Sequence, residues 1–315
     1  DRETDNARGF QFLDRALDVE RIAVAVVGID QQREIAGPVD ADATDRPAMT
    51  LALVPVFVAL GAFVGFLAGL LGIGGGFTIV PVLAEVFGRQ GVSSAHLLPL
   101  AIGTSAATIV FTSFSSARAH HLRGAVDWAV VRALAPGLVI GSIVGAQVAS
   151  ALPMRIMAAV FGSFTWLTAW QMLRASAPHP TGDLPGRAAL FGVGSLIGLV
   201  AGMVGTGGAF LAVPFLTRRN VSMHSAVATS AAIGWPVAVA ASASYVFAGL
   251  RQPDLPPHSL GFVYLPALLF IALASMALAP LGAKVAHAWP VGRLKRAFAV
   301  MLAVLGAWMW MKSLG

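Results

Sequence analysis

The residues of this chain with the clearest chemical use are glycines. Gly72, Gly74, Gly75 and Gly76 fall in one uncharged stretch, GLLGIGGGFTIVPVL over 69–83. Gly205, Gly207 and Gly208 fall in a second, GMVGTGGAFLAVPFL over 202–216. Glycine costs a helix about 1 kcal/mol relative to alanine, so each cluster predicts a break. A helix that restarts near Phe77, and another near Phe210, leaves its first N–H groups unpaired and partly positive. Without side chains in the way, an anion can approach those amides closely. Hydroxyl groups add donors without a fixed charge: Thr78, Thr206, and the pairs Thr104-Ser105 and Thr229-Ser230. The chemistry these residues suit is the holding of a small anion. The competing readings are close helix packing for the glycines and bonds back to their own helix for the hydroxyls.

Other chemistries find little support. The chain has no cysteine, which excludes disulfides, thiolate metal sites and a cysteine nucleophile. Its histidines are scattered without ligand spacing. Phe77 and Thr78 follow the first cluster where a Walker loop needs lysine, and Phe77 also breaks a G-x-G-x-x-G reading. No Ser–His pair, aspartate pair or metal set stands in the apolar stretches, so neither an enzyme nor a cofactor is expected. Glu85, Asp127, Arg132 and Lys284 lie near segment ends, where charge is cheap. Asp127-Trp128 reads as an interfacial helix start, and His96 and His224 as interfacial. Trp235-Pro236 can kink its helix or pack it.

The elements that must position these residues are membrane helices. Of 315 residues, 57% are hydrophobic and 11% charged, with a mean hydropathy of +0.77. A soluble domain carries about 25% charged residues. Many apolar stretches reach the ~18 residues of a spanning helix. They fall at about 50–72, 76–88, 96–117, 126–151, 154–173, 188–205, 208–217, 223–248, 260–287 and 293–312. Two are short, and each follows a glycine cluster. The expected class is an all-α integral membrane protein with broken or re-entrant helices at the clusters. Net charge is +6, but Lys and Arg sit in short loops, as the positive-inside rule requires. Nucleic acid is therefore not an expected partner; membrane lipid is. Gly61, Gly65 and Gly69, and Gly137, Gly141 and Gly145, have the spacing of close helix contacts.

The chain repeats itself. Residues 1–48 form a polar extension with 11 of the 15 acidic groups; disorder or an artefactual extension is the expectation there. Repeat one is expected over 49–175 and repeat two over 188–315, with the polar linker 176–187 between them. Gly72 to Gly76 with Pro81 aligns with Gly205 to Ala209 with Pro214. Ala101-x-x-Thr104-Ser105 aligns with Ala226-x-x-Thr229-Ser230, and Gly145-Ala-Gln-Val-Ala with Gly282-Ala-Lys-Val-Ala. Basic loops swap places between the halves, which predicts inverted repeats of about five segments each. Whether each short segment returns fully or forms a re-entrant tip stays open.

This order of motifs resembles the sulfite exporter TauE/SafE family of membrane permeases, over about Leu51 to Leu314. The motifs that carry it are the glycine break, the following proline, Ala-x-x-Thr-Ser and Asp127-Trp128. The resemblance implies two homologous halves and transport of sulfite, organosulfonates or related small sulfur-containing anions across the cell membrane of a bacterium. Two departures stand in the second half: Ala209 replaces the third consecutive glycine, and no Asp-Trp pair follows 249–258. An inside-negative potential favours anion exit by about 2.3 kcal/mol per charge per 100 mV, so export is expected. Ion-coupled uptake of another small solute is the alternative. Self-association into a homo-oligomer is left open.

Overall fold

The computed structural model describes residues 46–71, 75–174, 182–252, 254–286 and 291–314. The polar extension up to residue 45, Gly72 and Gly74, and much of the linker lie outside them. Ten helices are described: α1 (Arg46–Leu71), α2 (Gly76–Arg89), α3 (Ser94–Leu122), α4 (Trp128–Ala151), α5 (Met154–Arg174), α6 (Arg187–Val204), α7 (Ala209–Arg218), α8 (Met223–Gly249), α9 (Leu265–Ala286) and α10 (Val291–Leu314). Ala52–Gly315 forms one compact unit. Five helices, α3 to α6 and α8, are long and apolar enough to cross a membrane. The chain is an all-α membrane protein in class.

The helix ends follow from their residues. Ser93, Asp127 and Ser222 cap α3, α4 and α8 by accepting from first-turn amides, as short polar side chains do at an N-cap. Asp127 Oδ1 accepts from Ala129 N at 2.9 Å and Val130 N at 3.2 Å, so the Asp-Trp pair does mark a helix start. The short helices have 14 residues in α2 and 10 in α7. At 1.5 Å per residue these are about 21 Å and 15 Å long, short of a ~30 Å hydrocarbon layer. Pro81 and Pro214 lie inside them, and each removes one intrahelical donor.

One boundary departs from the sequence reading. The segment expected over 260–287 begins with two strands, Ser259–Leu260 and Val263–Tyr264, paired antiparallel. The helix starts only at Leu265. Gly261, at φ 53°, makes the turn, and a side chain there would run into the Val246 backbone of α8. Glycine supplies both the left-handed angle and the space.

Close contacts run reciprocally between the halves. Gly137, Gly141 and Gly145 of α4 press on Phe191, Ser195 and Leu199 of α6; Gly194, Gly198 and Gly202 of α6 press back on Leu134, Leu138 and Ser142. The equivalent pair shows the same pattern, with Gly61 and Gly65 of α1 against Ile271 and Ser275 of α9. In α5 and α10, Gly162 meets Trp310 while Gly306 meets Trp166. A contact made by i on j and matched by the equivalents of j on i is the arrangement found across a twofold axis. In an apolar solvent such backbone approach supplies much of the helix–helix attraction.

The glycine contacts give a test with an internal control. A side chain on Gly198 would collide with the Leu138 backbone, whereas one on Gly192 of the same helix meets nothing within 4 Å. Gly198→Val is expected to cost about 1–3 kcal/mol or more, seen as a lower thermal unfolding midpoint in detergent. Gly192→Ala is expected to leave that midpoint essentially unchanged.

Candidate functional site

The two glycine clusters lie against each other. A Cβ on Gly76 would strike the carbonyl oxygen of Gly205 and approach Thr206 Cα at 3.1 Å. One residue further on, the rings of Phe77 and Phe210 meet edge-on with centroids 4.3 Å apart. Helices α2 and α7 therefore begin side by side. Phe77 also packs edge-on against Phe161 at 6.2 Å and stacks on Phe164 at 5.8 Å, both on α5.

The backbone explains which residues can stand here. Gly205, Gly207 and Gly208 have φ of 70°, 69° and 78°, the left-handed region that side chains disfavour. Gly75 has an ordinary φ of −93°. In the alignment Ala209 stands opposite Gly76, whose Cβ position is taken by the carbonyl oxygen of Gly205.

The helix starts leave donors over. Among the described residues, the amides of Gly76 and Phe77, and those of Gly207, Gly208, Ala209 and Phe210, donate no hydrogen bond. All six residues are buried. Buried N–H groups without a partner are rare, and each costs about 1–3 kcal/mol unless something accepts from it. Two buried hydroxyls, Thr78 Oγ1 and Ser230 Oγ, also lack a partner. Successive amides in a left-handed turn form a concavity that suits an anion. Among the described residues no acidic group stands at either helix start, and no set of three or more metal-ligating side chains occurs.

The other hydroxyls are engaged with backbone. Thr104 Oγ1 donates to Leu100 O at 2.7 Å and accepts from Tyr264 N at 2.9 Å. Thr229 Oγ1 accepts from Asp127 N at 3.0 Å. Tyr264 and Asp127 immediately precede α9 and α4. Each Ala-x-x-Thr-Ser motif therefore fastens the start of a helix in the other half. Ser105 Oγ donates to Gly205 O at 3.2 Å, so α3 of one half holds the break of the other. Thr206 is buried inside the second cluster. Ile109, a turn beyond Ser105, lies 3.1 Å from the Cβ positions of both Gly76 and Gly207. Sequence reasoning did not single out Ile109, since an isoleucine in an apolar helix carries no signal of its own.

Glu85 joins α2 to α10, accepting from Lys312 Nζ at 2.9 Å and from Arg89 Nε at 3.0 Å. Its position near the end of a short segment was visible in the sequence; its distant partner was not. Tyr245 OH donates to Gly202 O at 3.0 Å, and Gln147 Nε2 to Ser244 Oγ at 2.9 Å. The second bond crosses between the halves; the first joins α8 to α6 within the second half.

Comparison with known proteins followed the same regions. The family model described as sulfite exporter TauE/SafE matches residues 57–309. A "probable membrane transporter protein" of Haemophilus influenzae is 36% identical over 255 residues, covering 80% of this chain and 96% of its own. A protein with the same description from Methanocaldococcus jannaschii is 26% identical over 261 residues, covering 82% and 96%. The Bacillus subtilis probable membrane transporter protein YdhB is 25% identical over 252 residues, covering 77% and 94%. No solved structure matches the chain.

The threonine bonds make a prediction. Thr229→Val removes the acceptor for Asp127 N–H and Thr104→Val the acceptor for Tyr264 N–H, at about 1–3 kcal/mol each. Faster amide hydrogen exchange is expected at Asp127 and Tyr264 respectively. The serine variants, which keep the oxygen, are expected to retain protection.

Proposed function

The chain belongs to the sulfite exporter TauE/SafE family, and from that premise we propose that it is a multi-pass permease for a small oxyanion of the sulfite or sulfonate class. The anion binds where α2 and α7 begin together. The observation that carries this reading is the set of buried amides at Gly76 and Phe77 and at Gly207 to Phe210 for which no acceptor stands among the described residues. Unsatisfied donors of this kind are tolerated at membrane depth where they line a polar site. Two half-helix starts supply partial positive charge from the backbone, so an anion is stabilised without a lysine or arginine that would hold it too long. Thr78 and Ser230 offer neutral donors from α2 and α8. Gly72 and Gly74 lie outside the described residues and enter the proposal from the sequence alone.

Ser105, Thr104 and Thr229 act in this reading by position. They fix the breaks and the helix starts around the anion rather than giving it their protons. The reciprocal contacts support inverted repeats, related by an axis in the membrane plane, as the swap of basic loops requires. An inverted pair lets one site face either side through rearrangement of two similar halves. With no deep carboxylate to carry a proton, the membrane potential is the driving force and the direction is outward in the bacterial inner membrane.

Proteoliposomes test this. Efflux of ethanesulfonate or sulfite is expected to speed up when the lumen is made negative, and a neutral solute of the same size is expected to stay inside. Gly208→Ala has room for a methyl group but places it at φ 78°. It is expected to slow anion efflux roughly tenfold, equivalent to about 1.4 kcal/mol of lost stabilisation. Efflux indifferent to potential, with neutral solute carried and Gly208→Ala without effect, would overturn the proposal.

A further inference from the structure

The alignment that pairs Ser105 with Ser230 also pairs Ile109 with Gly234, four residues further along each helix. Residues four apart share one face of a helix, and on α3 that face meets both breaks. Ser105 Oγ donates to Gly205 O at 3.2 Å. One turn on, Ile109 Cδ1 lies 3.1 Å from the Cβ position of Gly76, and Ile109 Cγ2 lies 3.1 Å from that of Gly207. A single side chain therefore stands against the starts of α2 and α7 together. It is 3% exposed, and α3 is buried from Leu97 through Ile109 but not beyond. Branching at Cβ leaves isoleucine essentially one χ1 rotamer in a helix. Ile109 is thus a fixed apolar wall beside the amides of both breaks.

Gly234 is the opposite case. It is buried within α8 and has no left-handed backbone angle. A Cβ there would meet Gly207 O at 3.5 Å and Ser113 Cβ at 3.7 Å, both ordinary contacts. Gly103 of α3 shows a glycine required by packing, since its Cβ position is 2.2 Å from Phe262 O. Neither backbone angle nor close approach requires glycine at 234, and alanine suits a helix better. What the glycine supplies is room, beside Gly207 and one turn from Ser230, whose buried Oγ has no partner. Gly207 therefore stands between a filled side at Ile109 and an open side at Gly234.

We propose that Ile109 and Gly234 determine the size of the anion accepted. The oxyanion group takes the amides at the two helix starts. The apolar body behind it lies along Ile109 and enters the room left at Gly234. Hydrocarbon laid on isoleucine is removed from water, so a short sulfonate gains a contact that a bare inorganic anion lacks. A longer body runs out of room. This assignment rests on the anion site proposed above.

Proteoliposomes loaded with methanesulfonate or butanesulfonate test it through flux. The efflux ratio of butanesulfonate to methanesulfonate is expected to rise about tenfold in Ile109→Ala and to fall about tenfold in Gly234→Ala. Gly234→Ala adds its methyl group without a clash and in a helix, so a change in size preference there is not a failure to fold. A second readout needs no transport. The chain has no cysteine, so Ser230→Cys introduces a single thiol on the face of Gly234. In nanodiscs, the modification-rate ratio of benzyl to methyl methanethiosulfonate is expected to rise with Ile109→Ala and to fall with Gly234→Ala. If the thiol ratios shift in this way while no sulfonate is carried, the transport reading fails and the size limit stands. Sulfonates carried at one ratio by the unsubstituted chain and both variants, or thiol ratios unmoved by either substitution, would overturn the proposal.

Discussion

The structure turns on a few N–H groups that have nowhere to donate. Each of the two short helices starts inside the protein, and the start of any helix leaves amides unpaired. At a water-exposed helix end, solvent satisfies them. Here Gly76, Phe77 and Gly207 to Phe210 are buried, and among the described residues no carbonyl or side chain accepts from them. In a low-dielectric setting that is costly, and the cost is borne at two helices at once, in contact. A fold that merely needed short helices could have capped them with serine or aspartate, as it does at Ser93, Asp127 and Ser222. Glycine at these positions leaves the donors open instead.

Keeping such a site in place requires a stiff frame, and the halves supply it to each other. The first half's Thr-Ser motif holds the second half's helix start and helix break, and Thr229 holds the start of α4 in return. Glycine faces bring α4 onto α6 and α1 onto α9 at backbone distance. Neither half could keep these contacts alone, because most of the partners come from the other.

Much of this was legible in the sequence, for physical reasons. Span lengths follow from the bilayer, so hydropathy located all ten segments to within a few residues. The breaks follow from glycine's helix penalty, and the close approach along α4 from Gly137, Gly141 and Gly145 spaced by four. What stayed hidden was pairing at long range. Nothing in Ala-x-x-Thr-Ser tells that Thr104 accepts from Tyr264 or Thr229 from Asp127; both hydroxyls read equally well as ligands or as bonds to their own helix. Glu85 looked like a charge at a segment end, since Lys312 lies 227 positions away. The strands before α9 were lost within an apolar run whose composition also suits helix, and Gly261 was the sole local sign of the turn.

The differences between the halves carry as much information as the likeness. Here the equivalent ends are unequal: an ion pair ties α2 to α10, while two arginines and a cavity stand between α7 and α5. At the bridged end one carboxylate, Glu85, holds two cations, Lys312 and Arg89. At the other end Arg218 and Arg219 line the cavity, and Arg219 lies along the Phe215 ring. The left-handed glycines also lie in the second cluster, whereas Gly75 has an ordinary backbone angle. At the start of α7, three left-handed glycines turn the chain where any side chain would be strained, so the second break is open to its amides for the same reason that it is closed to other residue types.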